Sequence, residues 1–202
     1  MDYNIVKIGD DSMMVPSPSS YRDCISLVQS DCYRYTGMQQ SVWKIIFVAL
    51  LKNNYKTFHF WFRLSQYRKG WFCWFARWRY KRISTRYGIE ISPDTLIGAG
   101  FYIGHFCGIV VNPSAIIGNN VNISQFTTIG SNEGEAAVVG NNVYIGPSVC
   151  LVEAVKLGHN ATIGAGAVVV KDVPRDATMV GVPAKIINYN NPGRFICNRW
   201  VL

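Results

Sequence analysis

Only three histidines, His59, His105 and His159, stand in this 202-residue chain. An imidazole titrates near neutral pH and is the side chain best suited to act there as a general base. His59 lies in an aromatic run and reads as a packing or surface residue. His159, in Leu157-Gly158-His159-Asn160, occupies a turn where a polar surface residue is expected. His105 differs. It follows Ile103-Gly104 and precedes a two-residue slip in an otherwise regular repeat, so the chain bulges there. A bulge on a regular scaffold re-aims a side chain. General base and plain turn residue both stand as readings of His105. A zinc lyase would need three imidazoles around one ion. His105 and His159 are several repeats apart and His59 lies outside the repeat, so no metal is expected.

The repeat that positions His105 runs from Ile91 to Val173. Ile91, Ile97 and Ile103 lead the first six-residue units. After the slip come Val111, Ile117, Ile123 and Ile129. After an inserted loop, Ser131 to Ala137, come Val139, Ile145, Leu151, Leu157, Ile163 and Val169. Most leaders precede a glycine, read as easing a turn. A small or β-branched residue follows four positions after most leaders, among them Thr95, Cys107, Thr127 and Val143. A period of six suits neither an α-helix nor a hairpin sheet; it marks a solenoid with one short strand and one turn per unit. Three strands complete a triangular coil, and thirteen units give a little over four coils of left-handed parallel β-helix. The fold class expected is mainly β, with helices before the solenoid. The segments are a flexible arm over 1–18, a helical domain over 19–88, the β-helix over 89–185 and a tail over 186–202 that the pattern does not place.

Charge singles out the helical segment. The net charge is +8, yet Asp31 and Glu90 bracket twelve Lys and Arg with no acidic residue between them. Helices are expected from Ser19 or Ser20 to Gly37, from about Ser41 to Lys52, and as a pair broken near Gly70. Residues 55–87 hold thirteen aromatics and nine Lys or Arg, interrupted too often for a membrane span. Two readings stand: an interfacial face with aromatics at headgroup depth and cations on anionic lipid, or aromatics packed on the β-helix end or a partner subunit. No nucleic-acid motif accompanies the basic patch, so no nucleic-acid partner is expected. The six cysteines show no CxxC pair and no framework spacing, and the first 20 residues lack the apolar core of a signal peptide. A cytoplasmic protein with reduced thiols is expected, peripheral at the inner face of the cell membrane under the interfacial reading.

Gly104-His105-Phe106-Cys107-Gly108-Ile109-Val110-Val111, the run Ile123 to Gly130, and the closure Gly181-Val182-Pro183-Ala184-Lys185 resemble the serine acetyltransferase family over about residues 88–187. The resemblance implies acetyl-CoA as acetyl donor, direct transfer without an acyl-enzyme, and a homotrimer that pairs into a dimer of trimers in one arrangement. It gives His105 the role of general base and Glu90, fifteen positions earlier, that of orienting its imidazole. It places Ser131, Gly146, Ala165, Gly166 and the Gly181 to Lys185 closure along the acetyl-CoA groove, with Lys171 and Lys185 for the phosphates.

The chain departs from that family at four positions. Gly104 replaces the Asp before the base, Glu the usual Asp at position 90, and Glu135 and Ala136 occupy the place of an Arg-His pair that reads the serine carboxylate. This combination is similar to serine-acetyltransferase-like enzymes that O-acetylate bacterial capsular or extracellular polysaccharide. The acceptor expected is therefore a glycan hydroxyl, free or lipid-linked; serine or another small hydroxyl compound is the alternative.

Overall fold

The structure, a computed structural model, describes residues 1–52 and 54–201. The chain opens with an antiparallel hairpin, β1 (Asp2–Ile8) and β2 (Asp11–Ser17). The flexible arm expected there is corrected. Met13 and Val15 are buried, and Asn119 of the solenoid donates to the Met14 carbonyl (2.9 Å). Alternation over Met13, Met14 and Val15 supplies the inward face.

Helix α1 (Tyr21–Thr36) starts at Ser20, whose hydroxyl accepts from the Asp23 N–H, and stops at Gly37 in the left-handed region, φ 67°. Helix α2 (Val42–Leu51) follows. A 3-10 turn (Tyr55–Thr57) leads into α3 (Phe58–Gln66), and α4 (Cys73–Tyr87) completes the helical segment. The break at Gly70 is dictated by space, because a Cβ there would lie 2.0 Å from the Tyr21 hydroxyl. The aromatics of 55–87 divide into two sets. Phe58, Phe60, Trp61 and Phe62 are core; Trp71, Trp74, Phe75 and Trp78 face outward. Among the described residues no helix is long and apolar enough to cross a membrane.

The solenoid begins with β3 (Ile89–Ile91), β4 (Leu96–Ile97) and β5 (Tyr102–Ile103). A second coil holds β6 (Ile109–Val111), β7 (Ile116–Ile117) and β8 (Asn122–Ile123), and a third β9 (Thr128–Gly130), β10 (Val138–Val139) and β11 (Tyr144–Ile145). Then come β12 (Cys150–Val152), β13 (Lys156–Leu157), β14 (Thr162–Ile163), β15 (Val168–Val169) and β16 (Thr178–Val180). Three parallel faces result, ordered β3-β6-β9-β12-β15, β4-β7-β10-β13 and β5-β8-β11-β14-β16, about five turns in all. Every leading aliphatic of the repeat is buried.

The glycines after the leaders serve a purpose other than the one expected. At Gly118 a Cβ would stand 2.7 Å from the Gly140 backbone of the next coil, so close stacking, rather than a turn dihedral, excludes a side chain. The left-handed positions of the neighbouring corner are taken by Asn120, Asn142, Asn160 and Asp176, residue types that tolerate that region.

The strand β17 (Lys185–Asn188) reverses and pairs antiparallel with β16. The tail then returns along the asparagine corner: Asn122 and Asn120 donate to the Phe195 and Trp200 carbonyls, and Arg34 of α1 to that of Cys197. The tail is thus part of the fold.

The open end of the first coil is closed by side chains of α1, α3 and α4. An uncovered first coil would leave a row of unpaired N–H and C=O groups. Ser30 and Asp31 accept from the Gly100 and Phe101 N–H groups (2.9 and 2.8 Å). Tyr35 Oη accepts from Ile103 N and donates to Ile103 O. Arg63 donates to the Ile97 and Gly98 carbonyls (2.8 and 2.6 Å), Arg34 to Gly100 (2.7 Å), and Tyr80 and Ser84 reach the Ile91 and Ile89 carbonyls. Asp31 and Arg63 pair bidentately at 2.8 and 3.0 Å, both fully buried.

Burial pulls the Asp31 carboxyl upward, but Arg63 and the approach of His59 outweigh it and hold it below the ordinary carboxylate value. Its contribution to stability is therefore full above that ordinary value, near 4, and is lost as pH falls through the lowered one. Arg63→Leu, which strands the carboxylate in the core, should cost about 3–5 kcal/mol in urea unfolding. A loss under about 1 kcal/mol, the scale of an exposed pair, would show that the joint does not hold the two parts together.

Candidate active site

The first coil is longer than its successor. Ile89 pairs with Ile109, a step of 20 residues, whereas Val110 pairs with Thr128, a step of 18. The two extra residues fall in the corner Gly104–Gly108. There the Gly108 N–H donates to Tyr87 O (3.2 Å) in the left-handed region, φ 60°, and the Phe126 N–H to Cys107 O (3.1 Å). Cys107, four positions after the leader Ile103, is exposed, and so is His105. The slip therefore pushes His105 out of the repeat.

A second signal was not read from the sequence. Phe126 is exposed, has a left-handed backbone (φ 58°), and sits so close over Gly108 that a Cβ on that glycine would lie 2.6 Å from its ring. A bulky residue in that region is rare and marks a site worth inspecting. Gly108, Phe126, Ser148 and Gly166 form one column of left-handed residues; Gly108 donates its N–H to the end of α4 and each of the others to the coil below. Gly146 and Ala165 lie on this same corner. Three of the residues expected to line a donor groove thus stack in line with the His105 corner.

The exposed side of β3-β6-β9-β12-β15 spreads from that corner to the next, which carries Ser131, Glu153 and Lys171. The loop from Ser131 is clamped there. Glu153, itself at φ 57°, accepts from Ser131 Oγ (2.7 Å) and from the Asn132 and Glu133 N–H groups. The Ser131 hydroxyl bond, then the Asn132 N–H, hold its carboxyl below the ordinary range. From the coil on the other side, Asn112 donates to Ser131 O (3.3 Å) and Ser114 accepts from Ala136 N (2.9 Å). Ala136 is buried and Glu135 exposed.

Gly181 joins the top edge of the same face, accepting from Val168 N (3.0 Å), and Lys185 is exposed at the start of β17. Glu90 points outward from β3 beside Val110 and lines a cleft of about 730 Å³ with Arg77, Lys81 and Ser92. His105 is outside that lining. Among the described residues no hydrogen bond or ion pair joins His105 to Glu90, though Tyr87, bonded to the His105 corner, is only three residues from Glu90.

Of the other two histidines, His159 departs from the surface turn expected of it, and His59 takes the packing role. His159 is buried; its Nδ1 accepts from Asn141 N (2.8 Å), and burial lowers its pKa. It continues a stack in which Asn119 and Asn141 accept from the Ala99 and Asn119 N–H groups. His59 is buried between Tyr35 Oη (2.9 Å to Nε2) and Asp31 (3.4 Å to Nδ1). No cluster of three metal-binding side chains occurs among the described residues.

The bacterial transferase hexapeptide (six repeats) family matches residues 136–171. The serine acetyltransferase of Synechococcus elongatus is 36% identical over 104 residues, 50% of this chain and 43% of that one. That of Buchnera aphidicola subsp. Schizaphis graminum is 36% identical over 144 residues, 65% and 54%. The chain thus spans about half the length of the curated relatives it matches. Among solved structures, a serine acetyltransferase from Brucella abortus in complex with coenzyme A superposes with TM-score 0.64 at 25% identity, covering 83% of this chain and 68% of that one. The Neisseria gonorrhoeae enzyme in complex with serine superposes with TM-score 0.59 at 28% identity, covering 83% and 69%. The chain is a hexapeptide-repeat β-solenoid built like the solved serine acetyltransferases.

These findings overturn the expected capsular or extracellular polysaccharide acceptor. The relatives are named for serine, and one solved neighbour holds it. That expectation took Glu135 and Ala136 as equivalents of an acceptor-reading pair. In the folded loop Ala136 is buried on Ser114 and the segment closes onto Glu153, so position in a shortened loop is no guide to what faces the acceptor.

Glu153→Ala should release the loop. Amide exchange at Asn132 and Glu133 should rise about tenfold or more while the melting temperature stays within a few degrees. Unchanged protection would show that the loop is held by its other bonds. In the wild type the clamp should be intact above the ordinary carboxylate range and weaken as pH falls through the lowered Glu153 value.

Proposed function

We propose that this protein is an acetyl-CoA-dependent O-acetyltransferase whose acceptor is serine or a hydroxyl compound of similar size. The observation that supports it is the exposed strip running from the His105 corner along Phe126, Ser148 and Gly166, on a solenoid similar to enzymes named for that reaction. His105 takes the proton from the acceptor hydroxyl. The oxygen attacks the thioester carbonyl carbon, the carbon–sulfur bond breaks, and the thiolate leaves with the proton returned by the imidazole. Backbone N–H groups at Gly130 and Ser131 stand for the oxyanion. Glu90 is the carboxylate assigned to orient the imidazole. Ala165, Gly181, Lys171 and Lys185 hold the donor, the lysines toward its phosphates.

An open solenoid flank suits a homotrimer in which a neighbouring copy completes the groove. Thiol release from acetyl-CoA with L-serine is the test. His105→Ala should slow it by about 10²–10⁴-fold with coenzyme A affinity kept, and Glu90→Gln should lower kcat more than it raises KM. Full activity of His105→Ala, or no turnover with serine and other small hydroxyl acceptors, would end this reading.

The helical segment supports a further part of it, contact with an anionic membrane surface. Trp71, Trp74 and Trp43 are 88%, 85% and 80% exposed, and Arg82 lies over Trp78. Exposed aromatics in a segment rich in Lys and Arg fit headgroup depth. Vesicles of one third phosphatidylserine should sediment the protein, and Trp71→Ala with Trp74→Ala should reduce that by about tenfold. Equal recovery on neutral vesicles, or self-association through the same tryptophans without lipid, would replace this reading with a protein contact.

A further inference from the structure

Beneath the His105 corner, between α1, α2 and α3, lies a cavity of about 480 Å³, a size common among ligand pockets. Its walls are Ile45, Val48, Ala49, Phe60 and Phe106. Beside Gln40 and His59, the polar groups that also reach it are hydroxyls already engaged. Tyr35 Oη is shared between Ile103 and His59, Thr57 Oγ1 donates to Asn54 O, and Thr36 Oγ1 to Met38 O. The interior therefore offers an occupant contact area and few free hydrogen bonds, so the body that fills it must be apolar.

The rim is different. Lys44 and Lys56 line the cavity from exposed positions. Among the described residues neither shares an ion pair with a carboxylate, and no acidic residue lies between positions 32 and 89. Asp31, the acid that precedes that stretch, is buried and held by Arg63. Two cations over an apolar body define an amphipathic anion.

The inner wall gives the site a consequence. Phe106, next after His105, meets the rings of Tyr55, Phe58 and His59 at 5.4, 5.5 and 5.9 Å. Whatever fills the cavity touches the residue beside the proposed base.

We propose that this cavity binds an amphipathic monocarboxylate, a single unbranched apolar chain ending in a carboxylate, and that its occupancy is transmitted through Phe106 to the His105 corner. The second part rests on the acetyltransferase reading; the first does not.

Sodium decanoate below its micellar concentration is the probe, read by titration calorimetry on the full chain. One site per chain is expected. Lys44→Gln with Lys56→Gln, both at exposed positions, should weaken binding about tenfold, on the scale of two screened charge contacts. Ala49→Phe fills the cavity and should abolish binding, with its thermal melt confirming that the variant is folded. Decanol binding as tightly as decanoate would overturn the role of the lysines, and decanoate binding unchanged in Ala49→Phe would overturn the cavity as the site. Saturating decanoate should change thiol release at least twofold in the wild type and not in Ala49→Phe. Binding without that change would overturn the transmission while leaving the site in place.

Discussion

A solenoid must end, and how its first coil ends governs the rest of this molecule. Parallel coils pass hydrogen-bonding capacity upward from one to the next, so the lowest coil always presents unmet donors and acceptors. Here α1 and α3 answer them with a buried carboxylate–guanidinium pair whose remaining valences go to backbone groups of the coil. A buried ion pair by itself is weak evidence for stability, because desolvation offsets the attraction. This one is different in kind: Asp31 and Arg63 stand where backbone groups would otherwise be orphaned. The helices are thereby set against the β-helix, and their aromatics are sorted into those that cover the coil and those that face away.

That placement shapes the candidate site. The two residues that lengthen the first coil emerge where the helical segment hands over to the solenoid, and the Tyr87 carbonyl anchors the resulting corner. A regular coil would have put position 107 into the core and left little room for an outward imidazole. The left-handed column above the corner keeps side chains small or turned aside, except at Phe126, leaving a flank along which an extended molecule can lie. The Glu153 carboxylate then bounds the flank on its other side, so one margin is fixed by backbone geometry and the other by a hydrogen-bonded side chain.

Much of this was legible in the residues. The period of six placed all thirteen leaders inward, because one core position per unit leaves a phase that nothing else in the chain imitates. Helix limits at Ser20 and Gly37 were legible because capping chemistry is local. What failed was non-local. The pairing of Asp31 with Arg63 was not legible, since nothing near either one announces the other 32 residues away. The hairpin at the start was missed because seven-residue strands with polar interruptions carry little periodic signal. Phe58 to Phe62 and Trp71 to Trp78 have similar composition, and only tertiary packing separates the covered set from the exposed one. The acceptor was misjudged for a related reason. Register is reliable within a repeat and fails inside a loop of changed length.

The returning tail has a consequence for how this architecture can vary. Repeat solenoids ordinarily tolerate gain or loss of a unit, because each coil contacts only its neighbours. Here the strand after the last coil doubles back, follows the asparagine corner across successive coils, meets α1 at Cys197 and bonds Asn120 again at Trp200. The segment works as a gauge laid along the axis. Adding one coil would lengthen the span it must cross by about 4.8 Å and throw each of its bonds to Asn120, Asn122 and Arg34 out of step. The number of coils in this protein is therefore held from outside the repeat, by a strap cut to one length.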